Sequence, residues 1–142
     1  MSADELARKV AEHLLSREGT GKAWNIEIEE VREGYARIAM TVRADMLNGH
    51  AIAHGGMIFA LADTAFAYAC NSRNVSTVAQ QASIVFLAQA REGERLVAEA
   101  KELDVVGRTG VYQVEVRNRA GEIIASFQGL SRSFGGPVLP GD

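Results

Sequence analysis

The chain has 142 residues, 47% hydrophobic and 23% charged, the balance of an ordinary folded domain long enough to bury a core without staples. A net charge of −3 argues against nucleic acid, which attracts basic surfaces. Cys70 is the one cysteine, so an internal disulfide is excluded and a reducing compartment fits. The first nineteen residues are charged throughout and lack the apolar stretch of a secretory signal; a cytoplasmic location is expected.

Residues 3–16 carry Leu6, Val10, Leu14 and Leu15 at the spacing of one helical face, and Glu18-Gly19-Thr20-Gly21 is expected to end that helix. Trp24 to Val31 alternates apolar with polar residues, the period of a half-buried strand. Glu33-Gly34 reads as a turn, and residues 35–42 return as a second strand. A polar connector through Asp45, Asn48 and His50 leads into 53–71, which is long, Ala-rich and free of proline, so helix is favoured over strand. The stretch 51–70 approaches membrane-spanning length, yet Asp63, His54, the glycine pair and the many alanines make it a poor bilayer segment.

Extended stretches follow at about 77–88, 95–104, 109–118 and 122–133, separated by glycine-bearing turns at 91–94, 106–109 and 119–122. The tail, 135–142, is rich in Gly and Pro and is expected to be loose. No repeat or linker interrupts the chain, so residues 1–142 read as one domain. Consecutive hairpins predict an antiparallel sheet with the apolar helix packed on one face. A helix apolar around most of its circumference needs cover on more than one side, which points to a second subunit.

Asp63 is the only acid between Ile52 and Cys70, flanked at helical spacing by Phe59, Ala60, Phe66 and Ala67. An isolated buried charge is costly and adds nothing to a core. It reads either as a structural carboxylate bonded to a neighbour or as a nucleophile or general base tuned by burial; Asp63 alone does not decide. Gly55-Gly56 at a helix start could present backbone N–H groups to a developing oxyanion, or form a plain tight turn. His54 could orient a ligand or satisfy a turn carbonyl, and Asn48 by itself reads as a turn residue. No GxGxxG, P-loop or G-x-S-x-G motif occurs. His13, His50 and His54 do not make a metal-ligand cluster with Cys70, so no metal is expected. Cys70 near the end of an apolar helix reads as an inert core thiol.

Taken together, Asn48, His54-Gly55-Gly56 and Leu61-Ala62-Asp63-Thr64-Ala65 resemble the signature of hotdog-fold acyl-CoA thioesterases. The strings over 46–50 and 61–71 resemble the PaaI-type subfamily, associated with phenylacetate degradation, almost letter for letter, and Thr109-Gly110-Val111-Tyr112 also fits. The resemblance covers about residues 20–134. It implies an α+β hotdog fold, a curved antiparallel sheet wrapped around a long central helix, here with an extra N-terminal helix.

The resemblance further implies that Asp63 is the catalytic carboxylate, that the Gly55 N–H polarises the thioester carbonyl, that Asn48 helps hold the water or the carboxylate, and that His54 is an orienting neighbour. Gly56, Arg91, Arg108 and Thr109 are the weaker candidates for gripping substrate, since charged hairpin residues are usually just solvated. Ser76 and Thr77 lie where related enzymes carry a helper hydroxyl, but no partner is singled out.

In such proteins Asp63 of one subunit would face Asn48 and Gly55 of the other, and dimers commonly pair into tetramers. The implied substrate is phenylacetyl-CoA or a ring-hydroxylated form, with no cofactor beyond the CoA of the substrate, and no membrane or nucleic-acid partner. Two other functions fit the same fold. One is a non-catalytic acyl-CoA sensor. The other is a hydratase, weakened because hotdog dehydratases usually place their His in a proline-bearing strand motif and this chain has no Pro before Pro137.

Overall fold

The Ser2 hydroxyl accepts from the Glu5 N–H while the Glu5 carboxylate accepts from the Ser2 N–H, a capping box that starts α1 (Ala3–Arg17) in the computed structural model, which describes residues 1–141. Ala7, Val10 and Ala11 form its buried face, and it packs on the first strand. The chain does not leave the helix for a strand at once, as the sequence suggested. Glu18 breaks the helix, a short α2 (Gly19–Ala23) follows, and Asn25 turns the chain through a left-handed conformation (φ 54°) that Asn tolerates. The first strand therefore begins at Glu27 rather than at Trp24.

β1 (Glu27–Arg32) and β2 (Tyr35–Thr41) form a hairpin. A single 3-10 turn at Ala44–Met46 leads to α3 (Gly55–Cys70). Four strands follow: β3 (Thr77–Phe86), β4 (Arg95–Val106), β5 (Thr109–Arg117) and β6 (Ile123–Ser133). They make one six-stranded sheet in the order β1-β2-β4-β5-β6-β3, antiparallel at every pairing.

The register follows from side-chain parity. Ala36, Ile38 and Met40 on β2 oppose Ala100, Ala98 and Leu96 on β4, and all six are buried. A one-residue slip would turn them to solvent. The small alanines let α3 lie close to the sheet, while Phe66 contacts Tyr112 and Phe127 at ring-centroid distances of 5.3 and 5.8 Å. Register shifts at Glu102/Asp104 and Ala79/Gln81 add the local twist that bulges bring. The sheet wraps the long helix as the resemblance implied.

Two features are left open in the single chain. Phe59, Ala60, Asp63, Thr64 and Ala67 form a half-exposed stripe on α3. β3 is an edge strand paired only with β6, with Val85 59% and Phe86 49% exposed. The tail, expected to be loose, is instead tied down as far as Leu139. The Asn74 carboxamide oxygen accepts from the N–H groups of Val138 and Leu139, both at 2.9 Å, and Ser76 bonds Gly136 and Pro137.

Candidate active site

The segment before α3 is held by its own hydrogen bonds. Asn48 N–H donates to the Ile52 carbonyl at 2.8 Å, and the Asn48 side-chain oxygen accepts from His50 N–H at 2.9 Å and Ile52 N–H at 3.4 Å. These bonds fix which end of the amide is oxygen, and they leave Nδ2 as a donor with no protein acceptor among the described residues. Ala53 N–H donates to Ala90 and His54 N–H to Met46, each at 2.8 Å, so the loop is fastened on both sides.

His54 is the N-cap of α3. Its Nδ1 accepts from Gly56 N–H at 2.8 Å, which makes the neutral ring carry its proton on Nε2. A Cβ at Gly56 would lie 3.0 Å from that Nδ1, so the glycine leaves room for the ring. His54 thus caps α3, and Gly56 serves the cap. The N–H of Gly55 meets no protein acceptor among the described residues and stands at the positive end of the α3 dipole. Gly55 also lies against Phe86, whose Cζ would be 3.0 Å from a Cβ there. Asn48, Ile52, Gly55, Phe86 and Leu87 line one cleft of about 340 Å³. Residues 48 and 55 are therefore brought together around a free N–H and a free amide donor.

Asp63 lies eight residues further along α3, about 12 Å at 1.5 Å per residue. It forms no hydrogen bond or ion pair with another described residue, and burial pushes its carboxyl above the usual range. The bland reading of this residue needed a hydrogen-bonding or cationic neighbour, and none is present among the described residues. Cys70 is buried, with its thiol pushed up to about 12 by burial first and by Asp63 second, the inert thiol expected.

Arg91 follows Ala90 at the rim of the Asn48–Gly55 cleft, and its N–H donates to the Glu94 carboxylate at 2.7 Å. Arg108 and Thr109 lie instead in the β4–β5 hairpin beside Cys70 and Arg73, at the other end of α3. A helix of 16 residues is about 24 Å long, so within one chain the two sets of candidate binding residues do not converge. No three His, Cys, Asp or Glu side chains gather as a metal cluster among the described residues, and no helix is long and apolar enough to cross a membrane.

Two sets of residues escaped sequence reasoning. Phe86 and Leu87 wall the Gly55 cleft, at the point where alternation along β3 gives way to consecutive apolar residues. Tyr68 is fully buried and donates from its hydroxyl to the Glu18 carboxylate at 2.9 Å. A Tyr within an apolar helix signals that its hydroxyl needs a partner, but nothing in the sequence says that the partner lies 50 positions away.

A six-stranded antiparallel sheet wrapped around one long helix, which carries a free N-terminal N–H and a half-buried carboxylate, has the hotdog architecture. The profile of the Thioesterase superfamily matches residues 50–125. The acyl-coenzyme A thioesterase PaaI of Escherichia coli K12 is 42% identical over 128 residues, which are 90% of this chain and 91% of that one. The structure of the E. coli PaaI protein from the phenylacetic acid degradation operon superposes with a TM-score of 0.94 at 41% identity, over 96% of this chain and 99% of that one. A hypothetical thioesterase protein from Streptococcus pneumoniae TIGR4, solved with coenzyme A, matches with a TM-score of 0.77 at 26% identity over 80% of this chain and 91% of that one. The chain belongs to the thioesterase superfamily, as a hotdog-fold acyl-CoA thioesterase of the PaaI type.

Proposed function

We propose that the protein hydrolyses phenylacetyl-CoA or its ring-hydroxylated forms in active sites shared between two copies of the chain, with Asp63 from one copy and Gly55 and Asn48 from the other. The separation of Asp63 from Gly55 along α3 carries this reading. A carbonyl held at hydrogen-bond distance from the Gly55 N–H is about 12 Å short of the Asp63 of the same chain. Both groups act on one carbonyl only if a second copy supplies one of them. The unpaired edge of β3 and the half-exposed stripe of α3 are the surfaces through which that copy fits, since an exposed edge is a template for pairing.

The chemistry balances without a metal or redox partner. The Gly55 N–H, at the helix dipole's positive end, stabilises the oxyanion that forms when the thioester carbonyl is attacked. Asp63 either takes a proton from the attacking water or attacks the carbonyl itself, forming an anhydride that water then opens. The C–S bond breaks, and CoA leaves as its thiol after taking up a proton. Asn48 Nδ2 is a donor for the water or for the substrate oxygen. The aromatic acyl group is supported by likeness to the phenylacetate-operon relative, by Phe59 of the half-exposed stripe and by Phe86 against Gly55.

Thiol release from a panel of acyl-CoAs tests the proposal. Aryl-acetyl thioesters are expected to be the best substrates, and Asp63→Asn is expected to release no CoA while keeping its oligomeric state. A preference for long aliphatic chains would overturn the substrate assignment. Near-wild-type turnover by Asp63→Asn would overturn the role of Asp63, and saturable binding with no CoA release by the wild type would leave the protein a sensor.

A further inference from the structure

Phe86 is the aromatic side chain of the Gly55 cleft, and its ring has surface to spare. Along β3, Ala82, Ile84 and Phe86 oppose Gly129, Phe127 and Ala125 of β6, all three buried, so parity puts Phe86 on the inner face of the sheet. An inner-facing phenylalanine is expected to be covered. Phe86 is instead 49% exposed, because it is the last residue of an edge strand. The backbone beyond it is fixed. Leu87 and Ala88 both donate their N–H groups to the Ile124 carbonyl, at 2.8 and 3.2 Å, so the ring stands on a pinned strand end.

Its contact with Gly55 shows how the ring is turned. A Cβ on Gly55 would lie 3.0 Å from Cζ and 3.4 Å from both Cε1 and Cε2. Equal distances to the two Cε atoms, little longer than that to Cζ, put the Gly55 backbone against one face of the ring at its Cζ end. No aromatic ring among the described residues pairs with Phe86, whereas Phe59 already meets Phe127 edge-on at 5.4 Å. Of these two phenylalanines, Phe86 is the one with ring surface left for a ligand.

The rest of the cleft is aliphatic or amide. Ile52, Ile58, Leu87 and Ala88 line it, Asn48 and Gln89 are its polar side chains, and no charged side chain is in its wall. Such a wall takes an uncharged acyl group and rejects one bearing a carboxylate, whose charge would be left unpaired.

We infer that Phe86 is a specificity-determining residue for the acyl group, the ring against which an aryl group packs while the Gly55 N–H holds its thioester carbonyl. This role rests on the reading of Gly55 as the donor to that carbonyl. The reach agrees with it. One methylene separates the carbonyl of an arylacetyl thioester from its ring, so a carbonyl bonded to Gly55 brings the ring beside the side chain packed on Gly55. Offset and edge-to-face pairs form at centroid separations of about 4.5–7 Å, which leaves room for that methylene.

The test compares phenylacetyl-CoA with cyclohexylacetyl-CoA, which has the same carbon skeleton without the π face, in wild type, Phe86→Leu and Phe86→Tyr. The ratio of kcat/KM values, aryl over cyclohexyl, is expected to exceed one in wild type. It is expected to fall by roughly 2–12-fold in Phe86→Leu, the worth of one aromatic pair, and to hold in Phe86→Tyr. Titration calorimetry of both esters into Asp63→Asn, with and without Phe86→Leu, reads the same discrimination as a ratio of Kd values without turnover. It therefore tests Phe86 even where hydrolysis or the role of Asp63 fails. A wild type that favours phenylacetyl-CoA, with a ratio unmoved in Phe86→Leu, would overturn the role of Phe86 and leave the substrate class standing. A wild type that does not discriminate between the two esters would overturn both. A Phe86→Leu chain that sediments as a monomer while Phe86→Tyr assembles would make Phe86 an interface residue and likewise overturn the proposal.

Discussion

At Asp63, the proposed catalytic role and stability pull in opposite directions. Its folded carboxyl holds a proton to higher pH than an exposed one because burial penalises the charge. A group raised in this way contributes its full stability below the unfolded carboxylate value and loses it as pH rises through the folded value. At neutral pH the ionised side chain therefore destabilises the fold. Asp63→Asn is expected to melt about 2–4 °C higher than wild type at pH 7, with the gap closing below about pH 4, while CoA release is lost. Differential scanning calorimetry across that range checks the sign. Gly55 is constrained differently. Its replacement by Ala sets a methyl 3.0 Å from the Phe86 ring, which must then move into the cleft. Gly55→Ala is expected to lower kcat by about 10²-fold, the size typical of losing one oxyanion donor, with circular dichroism unchanged.

Among the elements, β3 is the open edge through which the proposed second copy pairs. Val85 on its outer face is largely exposed in the single chain, so a lysine there costs the lone fold little. Opposite a second edge it sets like charge against its neighbours and blunts pairing, as natural edge strands do. Val85→Lys is expected to sediment as a folded monomer and to lose thioesterase activity with Asp63 and Gly55 both intact. An active monomer would show that one chain suffices. α3 carries the complementary constraint. Its N-terminus, capped by His54, presents the Gly55 N–H, while its middle carries Asp63. The sequence pattern 54–63 was legible because both chemical groups sit on one continuous helix. The partners of that helix were not. Phe86 at Gly55 and Glu18 at Tyr68 come from elements distant in sequence, and neither periodicity nor spacing encodes such contacts.

For the whole molecule, charged side chains tie the far end of α3 to the sheet. Arg73 bonds both oxygens of Glu102, at 2.6 and 2.9 Å, and Glu33 at 2.7 Å. The Arg73 guanidinium holds the Glu102 carboxyl below its usual range against the opposing effect of burial. The sign is opposite to that of Asp63: this stability is present above the unfolded carboxylate value and is lost as pH falls through the depressed one. Arg73→Gln is expected to cost about 1 kcal/mol at pH 7, and the difference from wild type is expected to vanish in acid. Urea melts at pH 7 and about pH 3 check both halves. Acidification thus relieves the burial of the Asp63 charge while it weakens the Arg73–Glu102 pair.

The linear order of residues by itself determined the antiparallel strands, the long central helix and the cap-glycine-carboxylate pattern on it, because each depends on neighbours within a turn or a hairpin. It placed the start of β1 too early, at Trp24, and left the tail loose, because the left-handed turn at Asn25 and the clasp of Asn74 on residues 138–139 are contacts rather than patterns. Only the tertiary structure decided that among the described residues Asp63 has no partner of its own and Gly55 keeps a free N–H beside Phe86, and that Glu18 reaches Tyr68. Those facts depend on which distant groups fill the space around a side chain, and that space exists only once the sheet has closed around α3.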